Sequence, residues 1–116
     1  MIKSLNQFVV YQKSMDLVVL IYGLTEEFPN KEIYCLTTQM RRCAISIPSN
    51  ISEGWRRRSP GDFQRFLRIA FGSASELETQ LEITRRLNYG DREKIKKSQD
   101  LLEEVLKMLN KMTCQN

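Results

Sequence analysis

The chain contains no histidine among its 116 residues, and its prolines and glycines are few. Histidine is the commonest general base and a common metal ligand near neutral pH. Its absence therefore excludes many types of catalytic and metal-binding site. The cysteines, Cys35, Cys43 and Cys114, are odd in number and show no C-x-x-C spacing. This pattern argues against a disulfide framework and against a zinc site. No cofactor or metal is therefore indicated, and we interpret the cysteines as buried or idle thiols.

Long apolar runs are also missing from the chain. The longest aliphatic run, LVVLIY over residues 17–22, is far shorter than the roughly 20 residues that a membrane-spanning helix needs. The first residues, MIKSLNQF, have neither the continuous apolar segment nor the small-residue cleavage site of a secretory signal. Charged residues make up 28% and hydrophobic residues 41% of the chain, which is typical of a compact helical protein. We therefore expect one cytoplasmic domain over residues 1–116, with no membrane contact.

The positive charge is concentrated in one part of the sequence. The formal net charge is +4, yet residues 41–68 contain seven arginines against Glu53 and Asp62, which leaves +5 there and −1 elsewhere. A local arginine cluster can neutralise phosphates and release their counterions, so nucleic acid is a plausible partner. The alternative is a solvated surface that only keeps the protein soluble.

Apolar residues recur at threes and fours in four segments, which predicts four amphipathic helices. The predicted bounds are about Val10–Phe28, Lys31 or Glu32 to Gly54, Ser59 to about Asn88, and Asp91 to about Met112. Ser59 and Asp91 are predicted N-caps, and Pro60 suits a first helical position. Short connections favour an all-α, antiparallel up-down four-helix bundle. Pro48 lies inside the second helix, where it predicts a kink.

The second helix carries two stripes at 100° per residue. The apolar stripe is predicted to face the core and comprises Ile33, Leu36, Met40, Cys43, Ala44, Ile47 and Ile51. The polar stripe falls roughly opposite and comprises Gln39, Arg42, Ser46, Asn50 and Glu53. We interpret it as a surface for a partner outside the chain's own bundle.

The third helix also has a second seam, away from its core face. Its members are Ile69, Gly72, Glu76, Ile83 and Leu87. Exposed aliphatic residues in such a row usually mark an interface. We therefore expect the chain to form a homo-oligomer through this seam.

Two strings, QMRRCAISIPSNISEG from Gln39 to Gly54 and DFQRFLRIAFGSASELETQLE from Asp62 to Glu82, closely resemble bacterial four-helix-bundle proteins known as 23S rRNA-intervening-sequence proteins. The resemblance covers nearly the whole chain and weakens after about Gly90. It implies a left-handed antiparallel bundle in a homo-oligomeric ring, with a pentamer favoured. It also implies a basic surface that contacts nucleic acid, and it establishes no enzymatic activity. That family is similar to accessory subunits of diversity-generating retroelement reverse transcriptases, which implies a second kind of partner.

The family's motif carries over onto a set of residues in both strings. They are Gln39, Arg42, Ser46, Pro48, Asn50, Glu53, Gly54, Phe66, Ser73, Glu76 and Glu78. Cys43 departs from the usual alanine, but cysteine is also small and readily buried. Small and polar residues of this kind can serve close helix packing alone, so the motif marks membership and not a proven site.

The first functional hypothesis is an oligomer that binds RNA or single-stranded DNA through its arginines. The candidate binding residues are Arg41, Trp55, Arg56, Arg57, Arg58, Arg65 and Arg68. Arginine can bridge phosphate oxygens, and Trp55 can stack on an unpaired base. The alternative for Trp55 is a hydrophobic plug over the end of the bundle.

Two other hypotheses stay open. The protein is alternatively a structural adaptor that scaffolds a protein partner, such as a reverse transcriptase, through the polar stripe or the ring rim. A metal-dependent enzyme would use Glu53, Glu76, Glu78 and Glu82, but no histidine is present to complete a di-iron site. Glu53 and Glu76 are better interpreted as ion-pair partners of Arg42 or another arginine across the polar stripe, and we expect no enzymatic activity.

Overall fold

Four α-helices make up most of residues 4–113, the part of the chain that this computed structural model describes. They are α1 (Val9–Thr25), α2 (Thr38–Arg57), α3 (Pro60–Leu87) and α4 (Arg92–Thr113). Short 3₁₀ turns lie at Leu5–Gln7 and Asn30–Glu32, and a π-helical turn at Ile33–Thr37 precedes α2. No strand occurs within the described residues. The predicted all-α fold with four helices is confirmed, and Cys114 lies outside the described residues.

Each helix packs against two others around one apolar core. Helices α1 and α3 each contact both α2 and α4, and an up-down order is compatible with this pattern. The fully buried side chains come from all four helices and include Leu17, Ile21, Leu24, Met40, Ile47, Ile51, Leu67, Leu77, Leu81, Leu102, Val105 and Leu109. At 1.5 Å per residue, the 28 residues of α3 measure about 42 Å. Since the Cα trace extends 43 Å along its longest axis, α3 spans the molecule.

The predicted start signals of the last two helices are confirmed. The Ser59 hydroxyl accepts the backbone N–H of Asp62 at 3.3 Å, with Pro60 in the first helical position. Asn88 and Gly90 adopt positive φ after α3. The Asp91 carboxylate accepts the backbone N–H of Lys94 at 3.1 Å at the start of α4. These capping interactions depend only on neighbouring residues, which is why the sequence predicts them well.

The start of the second helix differs from the prediction. A π-helical turn occupies residues 33–37, and within it Cys35 has φ −125° and ψ −105°, outside the helical region. A π-helical turn contains more residues than an α-turn. The side chains that precede it are therefore rotated about the helix axis relative to an uninterrupted α-helix. Ile33, predicted for the core stripe, is consequently 44% exposed. The first helix also ends earlier, at Thr25, although Phe28 is still buried.

Pro48 lies inside α2 as predicted and is buried. The helix is continuous from Thr38 to Arg57, and the kink at Pro48 stays a prediction. None of the helices in the described part of the chain is long and apolar enough to cross a membrane.

Gly54 does not end α2, contrary to the prediction. The helix continues to Arg57, and the positive φ is taken by Arg58 at 63°. Gly54 is instead buried where α2 approaches α3. A Cβ atom at Gly54 would lie 2.9 Å from the Cβ of Phe66 and 3.3 Å from the carbonyl oxygen of Phe63. The two helices can therefore approach this closely only because residue 54 has no side chain.

We expect Gly54→Ala to lower the free energy of unfolding by about 1–3 kcal/mol through overpacking, against less than about 1 kcal/mol gained in helix propensity. Gly23→Ala is the matched control, because nothing lies within 4 Å of a Cβ there, and it should stabilise α1 slightly. Urea unfolding followed by circular dichroism, at one protein concentration, measures both. Equal stabilisation by the two substitutions would contradict the close approach at Gly54.

Candidate nucleic-acid surface and the seam between α2 and α3

The middle of the polar stripe packs against α3 of the same chain. The hydroxyls of Ser46 and Ser73 lie 2.8 Å apart. The side-chain amide of Asn50 donates to the Ser46 hydroxyl at 2.9 Å and to the Ser46 carbonyl oxygen at 2.8 Å. We call this contact, together with that of Gly54 and Phe66, the α2–α3 seam. It corrects the interpretation that the whole polar stripe faces away from its own bundle, because Ser46 contacts Ser73 of α3 and both Ser46 and Asn50 are half-buried.

A polar groove of about 520 Å³ continues from the seam toward the start of α2. It is lined by Tyr34, Thr38, Gln39, Arg42, Cys43, Ser46, Ser73 and Glu76. Tyr34 is 91% exposed, and nothing in the sequence pattern singled it out. Of the two glutamates predicted to pair with Arg42 or another arginine across the polar stripe, Glu53 pairs instead with Arg57 of its own helix, at 2.8 Å. Among the described residues neither Arg42 nor Glu76 forms an ion pair, so the groove has one free charge of each sign.

Cys43 lies at the floor of this polar groove and is buried. Burial, and then the negative charge of Glu76, raise the pKa of the Cys43 thiol to about 11. The thiol is therefore protonated at neutral pH and is a poor nucleophile. Its position and chemistry agree with the interpretation of an idle, buried cysteine, whereas Cys35 is exposed.

The second seam of α3 is exposed in the single chain. Ile69 and Ile83 are each 42% exposed and Leu87 is 48% exposed, with Gly72 and Glu76 also at the surface. Because the other side of α3 fills the core, these residues have no apolar cover within the described part of the chain.

A separate apolar groove of about 430 Å³ lies between α1 and α2. It is lined by Tyr11, Met15, Val18, Ile45, Pro48, Ser49 and Ser52, and Val19 nearby on α1 is 71% exposed. Sequence reasoning missed this surface. Its signal was the run over residues 17–22, which is apolar around the whole helix and not on one side only.

The turn from α2 to α3 gathers four of the predicted binding arginines. The guanidinium groups of Arg57 and Arg65 lie 5.2 Å and 4.4 Å from the centre of the Phe66 ring. That of Arg56 lies 5.8 Å from the centre of the Trp55 ring. We call Arg56, Arg57, Arg58 and Arg65 the arginine turn.

Acidic neighbours neutralise only half of the arginine turn. Glu53 pairs with Arg57, and Asp62 lies 3.6 Å from Arg65. Arg56 and Arg58 are exposed and have no ion-pair partner among residues 4–113. These two guanidinium groups are available to an external anion.

An apolar pocket of about 310 Å³ opens beside the arginine turn. It is lined by Phe8, Gly54, Trp55, Arg58, Ser59, Pro60 and Phe63. The rings of Phe8 and Phe63 are stacked, with centres 5.8 Å apart and planes 16° from parallel. Trp55 is half-buried and forms one wall. No sequence pattern pointed to Phe8, because its contact with Phe63 joins residues 55 positions apart.

Arg41 does not join the other arginines. Its Nε donates to the Thr25 hydroxyl at 2.8 Å, and its guanidinium lies 4.4 Å from the centre of the Tyr22 ring. At 1.5 Å per residue it lies about 24 Å along α2 from Arg57. Arg41 therefore ties α2 to α1, whereas Arg68 is exposed on α3, about one turn after Arg65.

The four glutamates of the metal-enzyme hypothesis do not converge. Glu82 binds Arg85 at 2.7 Å and Arg86 at 2.9 Å, and these hydrogen bonds lower the pKa of the Glu82 carboxyl to about 2. Glu78 instead faces α4, in a pocket shared with Gln99. Within residues 4–113 no three His, Cys, Asp or Glu side chains are grouped to hold a metal ion.

Known proteins share this helical architecture. The model of the family described as 23S rRNA-intervening sequence protein matches residues 6–111. The chain belongs to this family. It is also similar to the crystal structure of a protein with unknown function from the S23 ribosomal protein family of Bacteroides thetaiotaomicron VPI-5482. The two share 30% sequence identity with a TM-score of 0.83, over 92% of this chain and 100% of that one. No curated protein matches the chain.

In this member of the 23S rRNA-intervening sequence protein family, packing accounts for many of the residues that carry the resemblance. Ser46, Asn50, Gly54, Phe66 and Ser73 all belong to the α2–α3 seam. Packing does not account for the remaining polar residues of the motif at the groove. These are Gln39, Arg42 and Glu76, which are exposed.

The groove chemistry predicts unequal cysteine reactivity. In a Cys114→Ser background, iodoacetamide at pH 7.5 should alkylate Cys35 readily. Cys43 should be slower by at least a hundredfold, because its raised pKa leaves roughly a hundredth of the usual thiolate and burial adds further protection. Glu76→Gln should accelerate the Cys43 reaction, whereas the control Glu78→Gln should not. Mass spectrometry of quenched samples measures the rates, and comparable rates in the folded protein would show this assignment to be wrong.

Proposed function

We propose that the protein is a non-catalytic homo-oligomer of up-down four-helix bundles that binds RNA or single-stranded nucleic acid through the arginine turn. The observation that carries the proposal is the pair of exposed guanidinium groups of Arg56 and Arg58, which have no acidic partner in the described chain. They adjoin Arg57 and Arg65, so a phosphate chain would meet several donors in succession. Arginine suits this role because its planar donor group binds phosphate oxygens in pairs.

Self-association is supported by the two separate apolar surfaces. The exposed seam of α3, with Ile69 and Ile83, and the groove between α1 and α2, with Met15 and Ile45, are different patches. If one patch of each subunit contacts the other patch of the next, the contact is heterologous and closes into a ring when the rotation permits. The family resemblance favours a pentamer. A ring would repeat the arginine turn and strengthen weak binding by avidity.

A second candidate is a structural adaptor for a protein partner such as a reverse transcriptase. The observation that favours it is the polar groove, where Tyr34 is almost fully exposed and Arg42 and Glu76 lack ion-pair partners in the described chain. Exposed aromatic and arginine side chains are enriched at protein interfaces. Capture of such a partner by the natural protein but not by Tyr34→Ala, without any affinity for nucleic acid, would favour this function.

For nucleic-acid binding, the test is a salt titration with a single-stranded RNA oligonucleotide, followed by fluorescence anisotropy. We expect Arg56→Ala with Arg58→Ala to weaken binding about tenfold or more at low salt. The slope of log affinity against log salt should become shallower by about 0.7 for each phosphate that the variant no longer neutralises.

The control for this titration removes the same charge elsewhere. Lys96→Ala with Lys107→Ala changes two exposed lysines of α4 that pair with Asp100 and Glu103. It should leave the affinity nearly unchanged. Equal weakening in both double variants, or none in the arginine variant, would reject the arginine turn as the binding surface.

For self-association, we expect Ile83→Asp to shift the mass measured by light scattering from an oligomer toward the monomer. The reason is that a buried, unpaired carboxylate in an apolar interface is costly, whereas the half-exposed position tolerates it in the single chain. Asn110→Asp adds the same charge at an exposed position of α4 and should leave the mass unchanged. A natural chain that is monomeric at high concentration would refute the proposed assembly.

A further inference from the structure

The pocket beside the arginine turn has the properties of a site for one planar aromatic ring. We propose that the pocket lined by Phe8, Trp55 and Phe63 takes up a single unpaired base of a nucleic-acid strand whose flanking phosphates bind Arg56 and Arg58. This inference rests on the proposed function and names the part of the ligand that the site distinguishes.

The lining of the pocket suits stacking. Three aromatic side chains contribute to it, and Phe8 and Phe63 are nearly parallel to each other. Aromatic side chains stack on every base, because each base has a π face. The volume, about 310 Å³, lies at the lower limit of small-molecule sites and is sufficient for one base.

The charges at the rim identify the ligand as a nucleotide strand and not a neutral aromatic compound. Arg58 is itself a lining residue, and its left-handed backbone at φ 63° places it at the turn between α2 and α3. The Arg56 guanidinium does not line the pocket, but it lies 5.8 Å from the centre of the Trp55 ring, which does. Neither has an ion-pair partner in the described chain. An apolar pocket next to two cations without ion-pair partners is complementary to a base and its flanking phosphates.

The pocket offers few hydrogen-bonding groups to the edges of a base. The Ser59 hydroxyl accepts the backbone N–H of Asp62 and has a single O–H left to donate, and Gly54 and Pro60 contribute no polar side chain. The site therefore selects for an unpaired base but discriminates only weakly between the different bases. A base within a duplex would first have to be unstacked and unpaired, which costs free energy. Single strands, loops and bulges should bind more tightly than duplexes of equal length.

Trp55 is the only tryptophan of the chain, so its fluorescence reports directly on this wall. Three probes are titrated at one low salt concentration: oligo(U), an RNA duplex of the same length, and inorganic polyphosphate, which has charge but no bases. We expect oligo(U) to quench Trp55 and to bind more tightly than the duplex, while polyphosphate binds without comparable quenching.

Substitution of the pocket separates stacking from charge. Phe63→Leu should weaken oligo(U) binding about tenfold, in line with the loss of one stacked base, and should leave polyphosphate affinity unchanged. Phe8→Leu is a second variant with the same expected effect. Phe71→Leu, a half-buried phenylalanine packed elsewhere on α3, is the matched control. Circular dichroism melts establish that all three variants fold.

If oligo(U) and polyphosphate bind equally, and Phe63→Leu affects neither, the base pocket is wrong while phosphate binding at the arginine turn stands. The aromatic cluster is then a hydrophobic plug. If none of the three probes binds at low salt, the proposed function itself is overturned together with this inference.

Discussion

The close approach of α2 and α3 is the constraint on which the rest of the structure depends. At Gly54 the helices are separated by so little space that a Cβ atom would lie 2.9 Å from the Cβ of Phe66. Two turns earlier, the Ser46 and Ser73 hydroxyls contact each other directly. Small and polar residues allow both contacts, whereas large apolar residues would hold the helices apart. This seam positions the turn that follows α2, and with it the arginines and the aromatic pocket.

Two arginines of the arginine turn have acidic partners within the described part of the chain, and the other two are available to a ligand. Arg57 and Arg65 lie on the Phe66 ring and are partly neutralised by Glu53 and Asp62, so they are engaged at the junction of α2 and α3. Their guanidinium groups still add to the local positive potential. Exposed surface pairs of this kind contribute little to folding stability individually. The number of arginines in a short stretch therefore overestimates its capacity to bind an anion. That capacity depends on the guanidinium groups that have no acidic partner.

The surfaces with proposed roles lie on different parts of the molecule. The arginine turn and its pocket lie at the junction of α2 and α3, the exposed row of Ile69, Ile83 and Leu87 follows the outer side of α3, and a further apolar groove separates α1 from α2. Assembly through the two apolar surfaces would leave the junction open to a ligand. Rigid helices are well suited to this arrangement, because they hold separate patches at constant spacing.

The sequence by itself determined the four helices, the caps at Ser59 and Asp91 and most of the buried side chains, because helical periodicity and capping depend on residues within a few positions of one another. It also showed the exposed row on α3. Only the tertiary structure decided that Gly54 is a contact and not a helix end, that Ser46 meets Ser73, and that Arg41 binds α1. The stacking of Phe8 on Phe63 is of the same kind. These outcomes depend on which helix covers each face, and that is set by packing between residues far apart in the chain.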